Sequence, residues 1–96
     1  MSSSQDDLYH RLDLLALRLA AADDVGWGVE EVSTFLVGAV AGSAFTDLVE
    51  DLVIVAHGRL AGVRGDVAAL STRWSVSDLT TVTSWCTARV AALAGM

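Results

Sequence analysis

The sequence predicts an all-α protein, a single-domain bundle of four or five helices over residues 1–96, and three observations carry that expectation. Apolar residues recur every three or four places and do not alternate, which is the period of a helix buried on one side. There is no proline, and 53% of the residues are apolar, above the roughly 45–50% of ordinary globular chains. Ser4 and Ser75 each stand three residues ahead of an aspartate where an apolar run begins, the S-x-x-D form of a capping box. Ninety-six residues are enough to bury one core without disulfides or metal.

Residues 1–4 read as a frayed tail, and the first helix is expected from about Gln5 to Ala22. Its main stripe is Leu8, Leu12, Leu15, Leu19 and Ala22. A second stripe of Leu14, Leu17 and Ala21 lies roughly opposite. A helix central in the bundle would bury both stripes; otherwise the second is a face for a dimer or a partner. Asp7 precedes Arg11 by four, a small surface pair. The run Asp23-Asp24-Val25-Gly26-Trp27-Gly28 breaks the helix, because two acids oppose the dipole at its carboxyl end and the glycines supply turn geometry. Trp27 is then a plug over the bundle end or an exposed anchor.

Asp24 or Gly28 caps a second helix, about Val29–Ala41, with Val29, Val32, Leu36, Ala39 and Val40 on its inner side and Phe35 and Val37 widening the arc. Gly38 and Gly42 have the G-x-x-x-G spacing that lets a neighbouring backbone approach closely. Ser43 caps the third helix, which opens on Ala44–His57. There Phe45, Leu48, Val49, Leu52, Val55 and Ala56 share one face, and Asp47, Glu50 and Asp51 the other. Ile54 sits in the middle of that acidic face. The apolar seam continues through Leu60, Val63, Val67 and Leu70, which would make one helix of about 27 residues. Gly58, Gly62 and Gly65 oppose this, each costing about 1 kcal/mol in a helix interior relative to alanine. A break is expected at Gly65-Asp66. Ser71–Val76 reads as a polar connection holding Trp74, and Ser75 opens a last helix, about 76–94, with Leu79, Val82, Cys86, Val90 and Leu93 inward. Its threonines favour strand, but the three-to-four period outweighs their propensity.

Several function classes find no support in the residues. The formal charge is −6, with twelve acids against six bases, and phosphate contacts need clustered cations, so nucleic acid is not expected as a partner. All the bases are arginine, as in proteins of GC-rich bacteria. Val32–Thr46 is uncharged but short of the roughly twenty apolar residues that span a membrane. A single cysteine and a polar, acidic amino terminus fit a cytoplasmic protein. Cys86 lies on a core stripe with Arg89 as the nearby base, which is poor support for a nucleophile. Asp6, His10 and Asp13 share a helical face and resemble a partial metal site, without the Glu-x-x-His pairs of helix-borne centres. His57 suits the carboxyl end of its helix. The glycines near Arg59 and Arg64 lack the preceding strand of a phosphate loop. No catalytic residue, metal or cofactor is assigned.

Interaction surfaces are better supported. Ile54 among Asp47, Glu50 and Asp51, together with Leu14, Leu17 and Trp27, forms the candidate contact set. Phe45, Leu48, Val49, Leu52 and Val53 ahead of Gly58-Arg59-Leu60 make an F-x-x-L-V-x-x-L-V run before a G-R-L turn. In this the segment resembles the middle of bacterial effector-associated, death-like adaptor domains, over less than a fifth of the chain. The alanine-rich helices around a glycine turn also resemble small type VII secretion substrates, although Gly26-Trp27-Gly28 does not supply their W-x-G turn and a Y-x-x-x-D/E tail is lacking. Both resemblances imply a small helical protein that works by contact. The expected function is therefore non-enzymatic: association with itself or with a protein partner through apolar helix faces. The rivals are a small-molecule- or metal-binding bundle, with its ligand near His10, His57 and the tryptophans, and an enzyme using Cys86.

Overall fold

The computed structural model describes residues 4–40, 42, 44–62 and 67–95. In chain order the helices are α1 (Ser4–Asp24), α2 (Val29–Ala39), α3 (Thr46–Leu60), α4 (Val67–Arg73) and α5 (Val76–Leu93), and no strand occurs among the described residues. The all-α bundle is as the periodicity predicts. Helix α1 packs most extensively on α5 and next on α3, while α2 packs mainly on α3. Their inner faces meet in one cluster.

Leu8, Leu12, Leu15, Leu19 and Ala22 on α1 are all buried, as are Leu79, Val82, Cys86 and Val90 on α5. Leu93 is partly buried against the same cluster. A polar residue joins them. Thr83 is fully buried because its Oγ1 donates to the Leu79 carbonyl of its own helix, 2.5 Å away, which removes the penalty of an unsatisfied hydroxyl. Ser75 caps α5 as its sequence position predicts, its Oγ accepting from the Asp78 amide at 3.1 Å. Ser75→Ala is expected to cost about 1 kcal/mol in a urea titration, the ordinary worth of such a cap.

The turn after α1 shows how a short sequence positions a tryptophan. The Trp27 amide donates to the Ala22 carbonyl at 2.8 Å and the Gly26 amide to that of Asp23 at 3.0 Å. This is the Schellman pairing, and it requires a left-handed residue, which Gly26 supplies at φ +98°. The chain therefore folds back with Trp27 against the core, and Gly28 takes the cap position of α2.

Other expectations are corrected. Helix α1 begins by Ser4, and residues 1–3 of the expected frayed tail lie outside the described residues. On α2 Ala39 is exposed and Val37 packs on the core, so the buried arc is rotated toward Val37. Gly38 admits no close neighbour: a Cβ there would meet nothing within 4 Å, and Gly42 instead has the positive φ of a chain reversal, +82°. Helix α3 begins at Thr46 with Phe45 as cap and 36% exposed, while Val53 is buried and Val55 only partly so. Helix α2 ends at Ala39 with Val40 as its cap, short of the expected end at Ala41; Ala41 and Ser43 fall outside the described residues.

The seam toward Leu70 does not continue as one helix. Helix α3 stops at Leu60, which is exposed, and Gly62 turns the chain at φ +79°. Gly58 stays within the helix. The break thus comes earlier than Gly65-Asp66, a pair that lies with Val63 and Arg64 outside the described residues. Leu70 rejoins the core from α4. The polar connection expected over Ser71–Val76 shrinks to Trp74 and Ser75, since Ser71, Thr72 and Arg73 complete α4.

Candidate functional site

The residues that carry chemistry are dispersed. Cys86 is buried without access to solvent, and loss of hydration pushes its thiol up to about 12, the reverse of what a nucleophile needs. His10 is exposed on α1, and its neighbour Asp13 is held by Arg59, whose Nε and Nη2 donate to Oδ1 at 2.6 and 2.5 Å. The same guanidinium lies over the Tyr9 ring, 5.5 Å from its centroid, so it ties the end of α3 to α1. Among the described residues no three His, Cys, Asp or Glu side chains stand close enough to hold a metal ion. None of the described helices is long and apolar enough to cross a membrane.

The three tryptophans are all partly buried against the core. Trp27 meets Phe35 edge-on, with centroids 6.3 Å apart, and closes one wall of a cleft of about 440 Å³. Leu19, Val29, Val32 and Leu60 line it, with Asp23, Asp24 and His57 also on its walls. His10, the other histidine of the ligand-binding rival, is not among its lining residues. Of its two alternatives, plug or exposed anchor, Trp27 takes the inward one, packing on the core while also lining the cleft.

The contact set divides into two surfaces. On α3 Ile54 is 69% exposed, with Asp47 and Glu50 exposed beside it and Asp51 partly covered. Arg73 of α4 donates to Asp51 at 3.0 Å and lies over the Trp74 ring, 5.6 Å from its centroid. This ion pair bridges a groove of about 270 Å³ lined by Ile54, Val55, Ala69 and Leu70. An acidic helix face with one large aliphatic side chain therefore borders a shallow apolar channel.

The second surface lies on α1. Leu14 is 39% and Leu17 64% exposed, so the second stripe is not buried although α1 packs on three other helices. Leu14 lines a groove of about 300 Å³ between α1 and α5, with Arg11 and Arg18 along one side and Ser84, Thr87, Ala88 and Ala91 opposite. Arg11 is held by Asp7, 2.9 Å away, and donates to the Ser84 hydroxyl.

No family model, characterised protein or solved structure matches the chain. The two surfaces therefore have to be interpreted from their own chemistry. Sequence reasoning found Ile54, Leu14 and Leu17 but missed the groove walls, namely Arg11, Arg18 and the small residues of α5, and Ala69, Leu70 and Arg73 of α4. The seven-residue spacing of Arg11 and Arg18 around Leu14 was the available signal. The pairing of α1 with α5 is a tertiary fact that no local pattern encodes.

Proposed function

We propose that this chain is a non-enzymatic helical module that works by binding protein, through outer helix faces centred on Ile54 and on Leu14 and Leu17. The observation that carries the reading is the exposure of Ile54 at the centre of the acidic face of α3. An isolated exposed aliphatic residue is ordinary. Here it stands beside an apolar groove, and on a second face of the same bundle the partly exposed Leu14 lines another groove. Burying one such side chain in a partner contributes about 1.5–3 kcal/mol, while the surrounding carboxylates select partners by charge and discourage promiscuous contact. The burial of Cys86 and the dispersal of the histidines weigh against catalysis.

Ile54→Arg tests the reading with little risk to the fold, since its side chain is mostly in solvent. Tagged wild-type and variant chains are used to retrieve binding partners, including untagged copies of the chain, from the native host. The variant is expected to lose its specific partner by roughly thirtyfold in affinity, the effect of removing an interface hot spot. Identical partners and identical solution mass for both chains would refute the proposal.

A further inference from the structure

The cleft beside Trp27 shares no residue with the grooves at Ile54 and Leu14, and its charge is one-sided. Three helices build its apolar lining, through Leu19 of α1, Val32 of α2 and Leu60 of α3. At about 440 Å³ it falls among small-molecule pockets, which measure roughly 300–1,000 Å³. Two carboxylates, Asp23 and Asp24, stand on its walls, where the one basic group is the His57 imidazole. Ion pairs among the described residues engage Asp7, Asp13 and Asp51; none engages Asp23 or Asp24.

The backbone adds to the same field. The last turns of α1 and α3 both contribute wall residues, so the negative ends of two macrodipoles adjoin the cleft. The last turn of α1 contains no base to offset its own. That of α3 holds His57 and Arg59, but the Arg59 guanidinium is turned to Asp13 and Tyr9. We infer that the cleft binds a small organic ammonium ion, its apolar body against Leu19, Val32 and Leu60 and its charge at Asp23 and Asp24. The Trp27 ring beside them attracts the same charge through its π electrons.

Other ligand classes use less of the site. A metal ion needs donors that converge, and Asp23, Asp24 and His57 do not form such a group. An anion of similar size would face both carboxylates and both helix ends, with His57 alone to receive it. An uncharged molecule would bury the same apolar area and gain nothing from the carboxylates. Burial therefore supplies affinity for the body of the ligand, and the charge of the rim selects the ammonium group.

Titration of the isotope-labelled full chain with phenethylammonium, phenethyl alcohol and hydrocinnamate at low salt, followed by NMR, tests this. The amide signals of Asp23, Asp24, Leu60 and Ala61 and the indole signal of Trp27 are expected to move. The ammonium should bind about tenfold more tightly than the alcohol, the combined effect of two exposed carboxylates, and hydrocinnamate should bind least. Asp23→Asn combined with Asp24→Asn should bring the ammonium down to the level of the alcohol and leave the alcohol unchanged. Both positions are exposed, and removing two acids from the carboxyl end of α1 favours the helix, so the fold is not at risk. An alcohol bound as tightly as the ammonium by the wild type, signals that move only away from the cleft, or no movement up to millimolar ligand would each overturn the proposal. Nα-acetyl-lysine methylamide bound as tightly as phenethylammonium would assign the cleft to a lysine of a protein partner and overturn the small ligand. The association reading stands on other residues and is tested separately by Ile54→Arg.

Discussion

Leu12→Ala is expected to destabilise the fold by about 2–5 kcal/mol, the cost of lost burial plus the cavity left behind. Leu12 has no exposed surface and lies on the inner stripe of α1, the helix that packs on α5, α3 and α2. A small domain has about 5–15 kcal/mol in total, so this one truncation removes a large share. Leu17→Ala, on the same helix but mostly exposed, is expected to change stability by no more than about 0.5 kcal/mol. Urea titrations of the two variants compare the stripes directly. Equal costs would mean that α1 does not sit with Leu12 inward.

Alkaline pH is expected to produce the second large effect, through Cys86. Its thiol ionises at about 12 in the fold against 9.0 ordinarily, because burial removes the hydration that a thiolate requires. Below pH 9 the thiol is protonated in both states and contributes no pH dependence. Above pH 9 the unfolded chain releases the proton while the folded chain retains it, so the unfolded state binds fewer protons and stability falls as pH rises. The slope is on the order of 1 kcal/mol per pH unit within the window from 9 to 12. Cys86→Ala lowers the starting stability but should remove this slope. Stability measured by urea at several alkaline pH values distinguishes them, and equal slopes would assign the loss to other groups.

How much of this was legible depended on the range of the interaction involved. The inner stripes of α1 and α5, the Ser75 cap and the glycine turn at Gly26 follow from spacings of three to five residues, and the structure has them where the sequence puts them. The end of α3 did not follow. Three glycines competed for it, and helix propensity ranks Gly58 and Gly62 alike. What separates them is position: Gly58 lies within the last turn of α3, its carbonyl accepting from the Ala61 amide, whereas Gly62 follows the cap residue Ala61, where a left-handed residue completes the helix end. Exposure of the second α1 stripe was equally illegible. Two opposed apolar stripes fit a central helix or an edge helix, and the choice rests on where α5 and α3 dock. Ile54 was visible because it interrupts a polar face, which requires only the helical period.

Arg11 stands in a chain of hydrogen bonds that runs through Ser84 to the Thr80 carbonyl, where the Ser84 hydroxyl donates at 3.0 Å. Asp7 holds the same guanidinium from its other side. A long side chain anchored in this way has surrendered much of its rotamer entropy on folding, well before any encounter. Immobilising a free arginine during association would cost about 0.5–1.5 kcal/mol, a penalty that Arg11 has largely met already. The hydroxyls of α5 thus do more than satisfy their own helix, since they present a preorganised cation along the edge of the groove.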